Sequence, residues 1–158
     1  MRFERNRDPV ARFLPAPATG IFFAQTETAM KKRILLADDD ASVRKMVGRV
    51  LESEHYEVVL AQTGCEAVTE ALSGDPDLIL LDLTMPQRDG WQALELIERI
   101  RPFIPVVVIT ARPHQQEQAR AAGVDALMEK PLDLTLLLQT IGQLLDQADQ
   151  RRANLKPA

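Results

Sequence analysis

The sequence predicts an α/β fold: an open sheet of five parallel strands with helices on both faces. Three observations point to it. From Met30 onward, five short apolar runs alternate strictly with five stretches of helical period. Three of the runs, at 34–37, 78–81 and 106–109, are unbroken apolar, as strands buried on both faces are. Ionisable and hydroxyl side chains stand at the ends of the runs: Asp38-Asp39-Asp40, Asp82, Thr110 and Lys130.

Arg33 to Ala37 is the first strand. Val43, Met46, Val47, Val50 and Leu51 recur at the spacing of one helix face and predict a helix with those residues inward. Tyr56 to Ala61 is the second strand; Glu57 inside it marks an edge. Thr63 and Glu66 form a capping box for a helix running to about Leu72. Gly74-Asp75-Pro76 turns the chain into the third strand, Leu78 to Leu81. Ala93, Leu96, Ile97 and Ile100 predict a third helix that ends before Pro102. Pro105 to Thr110 is the fourth strand. Residues 114–122 form a weakly amphipathic helix stopped by Gly123, and Ala126 to Glu129 is a short fifth strand, also an edge. Asp133 caps the last helix, with Leu134, Leu137, Leu138, Ile141, Leu144 and Leu145 on one face. Strands alternating in this way are joined by right-handed crossovers.

Residues 1–29 show no period, and Pro9, Pro15, Pro17 and Gly20 interrupt every candidate element. They are expected to be a disordered N-terminal extension, although Phe3, Phe13, Phe22 and Phe23 offer contacts for docking. The working domain is expected over 30–146, and 147–158 as a short C-terminal tail.

Composition narrows the function classes. A content of 46% hydrophobic and 27% charged residues is that of a globular chain and excludes a wholly disordered one. No apolar run approaches the roughly 18 residues of a membrane span, and Ile21-Phe22-Phe23-Ala24 is too short for the core of a secretory signal. A single cysteine, Cys65, excludes an internal disulfide, and His55 and His114 lack metal-type spacing. A soluble, cytoplasmic protein with no membrane contact is expected. Net charge is +1 over 1–29, −7 over 30–146 and +2 over 147–158. An acidic domain lacks the clustered basic face that phosphate contact needs, so no nucleic-acid partner is expected.

In open parallel sheets, ligands sit outside the C-terminal ends of the strands. With strand two at an edge beside strand one, the acids, threonine and lysine form one patch there. Carboxylates gathered in this way repel and call for a counter-charge. Mg²⁺, which takes one or two carboxylates and keeps waters for a phosphate to replace, fits that need. Lys130 adds a second positive charge, and Thr110 a short hydroxyl donor. An aspartate nucleophile, a metal, a lysine and a hydroxyl make an acceptor site for phosphoryl transfer. No glycine-rich phosphate loop indicates a bound nucleotide. Each residue has a plainer role open to it. The three consecutive acids favour the helix dipole that follows, a role that suits Asp40 best. Thr110 is also an ordinary β-branched strand residue, and Lys130 an ordinary edge lysine. Trp91, at a helix start, is expected to pack.

The chain from about Lys31 to Asp146 resembles the receiver domain of bacterial two-component response regulators, most closely the single-domain, CheY-like kind. The resemblance rests on Ile34-Leu35-Leu36-Ala37-Asp38-Asp39-Asp40, on Leu80-Leu81-Asp82-Leu83-Thr84-Met85-Pro86 with Asp89-Gly90, on Val108-Ile109-Thr110-Ala111, and on Lys130-Pro131. It implies a flavodoxin-like fold with strand order 2-1-3-4-5. It implies that Asp82 accepts a phosphoryl group from a histidine kinase or histidine phosphotransfer protein. Asp39 and Asp82 would then ligate Mg²⁺, with the Thr84 carbonyl completing the site and Asp38 orienting its waters. Thr110 would move onto the phosphoryl group, and Lys130 would pair with it. The resemblance also implies a cis Lys130-Pro131 bond, a state that X–Pro bonds reach at low cost. It implies too that Thr84 and Arg112 stand at the positions that tune dephosphorylation in the family.

One departure stands out. Three places before the lysine, receivers often carry an aromatic switch residue; here it is Leu127, which has no hydroxyl to exchange between water and core. With 12 residues after the last helix, no DNA-binding or catalytic output module is expected. Output is expected through protein contact, over 112–127 and the outer face of 133–146, or through onward phosphotransfer. Turnover of an outside substrate is not expected, because Asp82 is followed two places on by Thr84 and not by the second aspartate of aspartyl phosphatases. The competing class is a receiver-fold interaction module that works without phosphorylation.

Overall fold

A computed structural model describes residues 30–85 and 90–156. The expected extension over 1–29, with its phenylalanines, lies outside the described residues, as do Pro86 and Asp89 of the quoted motif.

Five strands form one parallel sheet: β1 (Arg33–Ala37), β2 (Glu57–Ala61), β3 (Leu78–Asp82), β4 (Val106–Thr110) and β5 (Ala126–Glu129). Their order is β2-β1-β3-β4-β5, with every neighbouring pair parallel. The strands that read as edges are the edges. Glu57 is exposed on β2 and pairs there with Arg33 at 2.7 Å.

The helices are α1 (Ala41–Ser53), α2 (Gly64–Ser73), α3 (Gly90–Ile100), α4 (Gln116–Ala121) and α5 (Leu134–Leu155). Side chains alternate across the pleat. Ile34, Leu36, Leu78, Leu80, Val107 and Ile109 meet Val47 and Leu51 of α1 and Leu137, Ile141, Leu144 and Leu145 of α5. Leu35, Ala37, Ile79, Leu81, Val106 and Val108 meet Ala67 and Ala71 of α2 and Leu94 and Ile97 of α3. Each large side chain buried this way contributes about 1.5–3 kcal/mol, which is why the unbroken runs occupy the middle of the sheet.

Three expectations are corrected. Met46 is exposed, because α1 turns only Val47, Gly48 and Leu51 fully inward. In α3, Leu94 is buried and Ile100 exposed, so the inward stripe is Ala93, Leu94 and Ile97. Helix α5 continues past 146 to Leu155; Ala148 is buried, and Asp149 pairs with Lys32 at 2.6 Å. Most of the expected C-terminal tail is therefore helix.

Local signals set the ends. Asp40 caps α1 by accepting from the Ser42 and Val43 N–H groups, and Asp133 caps α5 by accepting from Leu136 N–H. The Thr63 hydroxyl accepts from Glu66 N–H, while the Glu66 carboxylate reaches one residue further back, to Gln62 N–H. Gly90 starts α3 hard against strand three: a Cβ there would lie 2.3 Å from the Leu83 Cα. Its N–H donates to the Leu83 carbonyl at 3.2 Å, which seats the helix beside the end of β3. No helix among the described residues is long and apolar enough to cross a membrane.

Candidate functional site

The residues just past the strand ends extend the ladder by one step. Asp38 N–H donates to the Ala61 carbonyl, Leu83 N–H to Ile109, and Lys130 N–H to Thr110. Asp82 itself pairs in register with Ile109. The ends of β1, β3, β4 and β5 are thereby held level, and their polar side chains meet at one edge.

Among the described residues, the only buried polar or charged side chains are Asp38, Asp82 and Thr110. Lys130 Nζ donates to Asp38 Oδ2 at 2.8 Å and to Asp82 Oδ2 at 3.3 Å. One lysine thus bridges two carboxylates from different strands. Thr84 N–H donates to Asp82 Oδ1 at 2.9 Å. The Lys130-Pro131 peptide is cis.

The three consecutive aspartates have three different surroundings. Asp38 is fully buried; besides Lys130, its carboxylate accepts from Asp40 N–H at 2.9 Å. Asp39 is exposed, yet it, Asp38 and Asp82 each bring a carboxylate oxygen within 4.8 Å of the others. Asp40 points away as the cap of α1.

Charge at this edge is unbalanced: three carboxylates face one ammonium. Burial raises the Asp82 pKa above the usual carboxylate value, and the Asp38 charge adds to the rise. The Thr84 N–H and Lys130 oppose it without cancelling it. Burial by itself would lower the Lys130 pKa. The hydrogen bond to Asp38 and the charges of Asp82 and Asp38 outweigh that, and the ammonium is held above the usual lysine value. An all-oxygen donor set with residual negative charge is the chemistry that hard divalent cations take.

Thr110 is fully buried at the end of β4, but its hydroxyl is engaged by its own loop, accepting from Arg112 N–H at 3.0 Å. The structure places it beside the acids without a bond to them. Arg112 is exposed. Leu127 is half-buried on β5 and packs against the α2/α3 side of the core, as does Trp91.

Reading strand ends alone passes over Arg44. From the first turns of α1, its Nη1 donates to the Asp38 carbonyl at 2.7 Å. The available signal was its position one turn beyond the Asp40 cap, which brings it back over the turn.

The "response regulator receiver domain" family model matches residues 34–142. The transcriptional regulatory protein GlrR of Escherichia coli (strain K12) is 35% identical over 117 residues, covering 73% of this chain and 26% of GlrR. The chain therefore spans about a quarter of that relative's length. The crystal structure of a CheY-like response regulator receiver domain protein from Methanospirillum hungatei JF-1 superposes with a TM-score of 0.74 at 30% identity, covering 77% of this chain and 99% of that one. The receiver domain of sensor histidine kinase PA1611 from Pseudomonas aeruginosa PAO1 gives a TM-score of 0.68 at 26% identity over 74% of this chain and 99% of its own. That crystal structure has a magnesium ion coordinated in its active-site cleft. With the fold, the acidic edge and the family model in agreement over 34–142, this chain belongs to the response regulator receiver domain family.

Proposed function

We propose that this protein is cytoplasmic, accepts a phosphoryl group on Asp82 from a histidine kinase or histidine phosphotransfer protein, and passes the signal on as a change of surface. The observation that carries this reading is the location of the buried polar side chains. Asp38, Asp82 and Thr110 all lie at one sheet edge, and Lys130 bridges the two acids. A core gains nothing from gathering its charges at one spot, since buried charge is costly.

Asp82 is the nucleophile. Its carboxylate oxygen attacks phosphorus, a P–O bond forms as the donor's P–N bond breaks, and the imidazole leaves with the bonding pair. Lys130, already 3.3 Å from Asp82, offsets charge on the transferred oxygens. Asp39, Asp82 and the Thr84 carbonyl would hold Mg²⁺, with Asp38 orienting its waters. The bound ion supplies positive charge against the phosphoryl oxygens. Thr110 gives up its contact with Arg112 N–H and turns onto the phosphoryl group. That motion draws in the 111–114 loop and biases the surface of α4, β5 and α5. Leu127 can repack beneath it but has no hydroxyl to exchange. Output is by protein contact or onward phosphotransfer, with no turnover of an outside substrate.

The test is exposure of the chain and its Asp82→Asn variant to acetyl phosphate with Mg²⁺, read by intact mass. The expected result is one phosphoryl adduct on the parent chain, cleaved by alkali or hydroxylamine as an acyl phosphate is, and none on the variant. An equal adduct on Asp82→Asn would sink the assignment. A parent chain that takes up neither phosphoryl nor beryllofluoride would favour a receiver fold used without phosphorylation.

A further inference from the structure

Arg44 closes the acidic turn twice. Its N–H donates to the Asp40 carbonyl at 3.0 Å, and its guanidinium donates to the Asp38 carbonyl at 2.7 Å. Asp38 stands one residue beyond the last register pairs of β1, Ala37 with Ala61 and Ala37 with Leu81. The Asp38 side chain is fixed separately, by Lys130 and by Asp40 N–H. What these bonds leave undetermined is the plane of the peptide between Asp38 and Asp39. Because a peptide is planar, pinning its oxygen also fixes the Asp39 N–H and the direction of the N–Cα bond that carries the Asp39 side chain.

We propose that Arg44 is a positioning residue: by holding the Asp38 carbonyl it sets the direction in which Asp39 presents its carboxylate to the cation site. The inference rests on the acidic edge being a Mg²⁺ site, as proposed above. It also makes a prediction of opposite sign to simple electrostatics. A guanidinium acting only as a nearby positive charge repels Mg²⁺, so its removal would tighten binding. A guanidinium that orients a ligand has the reverse effect.

The experiment uses the full chain and Arg44→Ala, Arg44→Met and Arg44→Lys. Mg²⁺ is titrated by calorimetry, and amide exchange at Asp40 is followed by NMR without metal. Loss of one charge-assisted hydrogen bond should weaken Mg²⁺ binding roughly tenfold in the Ala and Met variants. Exchange at Asp40 N–H should quicken by a similar factor, with the rest of the spectrum unchanged. Lysine, which keeps a charged donor, should restore most of both. Arg44→Met retains the side-chain stem and serves if the alanine variant folds poorly. Equal or tighter Mg²⁺ binding in the donor-less variants, or unchanged Asp40 exchange, overturns the proposal. Asp39→Ala separates the two readings. Wild-type Mg²⁺ affinity in that variant overturns the metal site itself, whereas lost affinity there with intact affinity in Arg44→Met overturns Arg44 alone.

Discussion

At the N-terminal edge of the sheet, Asp77 accepts from Arg33 N–H at 2.9 Å and faces Arg152 at 3.2 Å and Lys32 at 3.8 Å. Lys32 also reaches Asp149 at 2.6 Å. These two acids meet two cationic side chains and a backbone donor, in partial contact with water. At the C-terminal edge, Asp38, Asp39 and Asp82 meet one ammonium, and two of the acids are shut away from solvent. The same residue types therefore do opposite things at the two ends. Matched and half-solvated, they fasten α5 to the starts of β1 and β3. Mismatched and buried, they leave an electrostatic deficit that a cation can relieve. The comparison separates charge that serves folding from charge that serves ligand chemistry.

The largest contrast should come from metal. At a Mg²⁺ concentration of about 100 times Kd, the folded chain should gain about 2.7 kcal/mol against urea, by mass action. Asp39→Ala should lose most of that gain, and Asp77→Ala should keep it. A Mg²⁺ effect that disappears equally in both variants would mean the ion acts as general screening, and the two ends would not be distinct.

Without metal, single substitutions at the two ends should have opposite signs. Asp77→Ala removes the acceptor for Arg33 N–H along with two ion-pair contacts and should cost about 1–2 kcal/mol. Asp82→Asn removes a buried charge that repels Asp38, and Lys130 keeps its shorter partner, Asp38. It should add on the order of 1 kcal/mol. Urea melts in EDTA decide this, and a destabilised Asp82→Asn would show that the Lys130 bridge outweighs the repulsion.

The smallest effect is in pH. The folded chain holds the Asp82 proton to higher pH than the unfolded chain does, because the folded-state pKa is raised. Stability is therefore lost as pH rises from the unfolded to the folded pKa of Asp82, and regained as pH falls through that window. The advantage of Asp82→Asn should be full above the raised pKa and shrink on acidification below it. Paired urea melts over a pH series through the acidic range test it. A gap that widens on acidification would contradict burial as the cause. Lys130 adds nothing to this window; its raised pKa matters only where stability is lost as pH rises through the alkaline range.

Much of the fold was legible because each strand announces its own burial. Val106-Val107-Val108-Ile109 can only be a strand covered on both faces, and Glu57 can only sit where one side is open. Helix faces were less legible. Met46 lies at the right spacing for an inward stripe, but α1 turns only Val47, Gly48 and Leu51 fully inward and leaves Met46 exposed. The end of α5 was hidden for another reason: after Leu145 its face carries Ala148 and Arg152, and a polar stretch reads as tail until Lys32 and Asp77 are seen to receive it.

The acidic edge divides in the same way. The sequence by itself determined which residues come to the C-terminal edge, because in a parallel α/β sheet the residue ending each strand has a fixed end and side. Asp38, Asp82, Thr110 and Lys130 follow from alternation alone. Only the tertiary structure decided which atoms meet. That Lys130 lies closer to Asp38 than to Asp82, that Asp39 stays exposed while Asp38 does not, and that Arg44 folds back on the Asp38 carbonyl all depend on the packing of neighbouring elements. Sequence period fixes direction along a strand or helix. Distances between side chains from four different strands depend on how those strands and their helices settle against one another, and no local pattern encodes them.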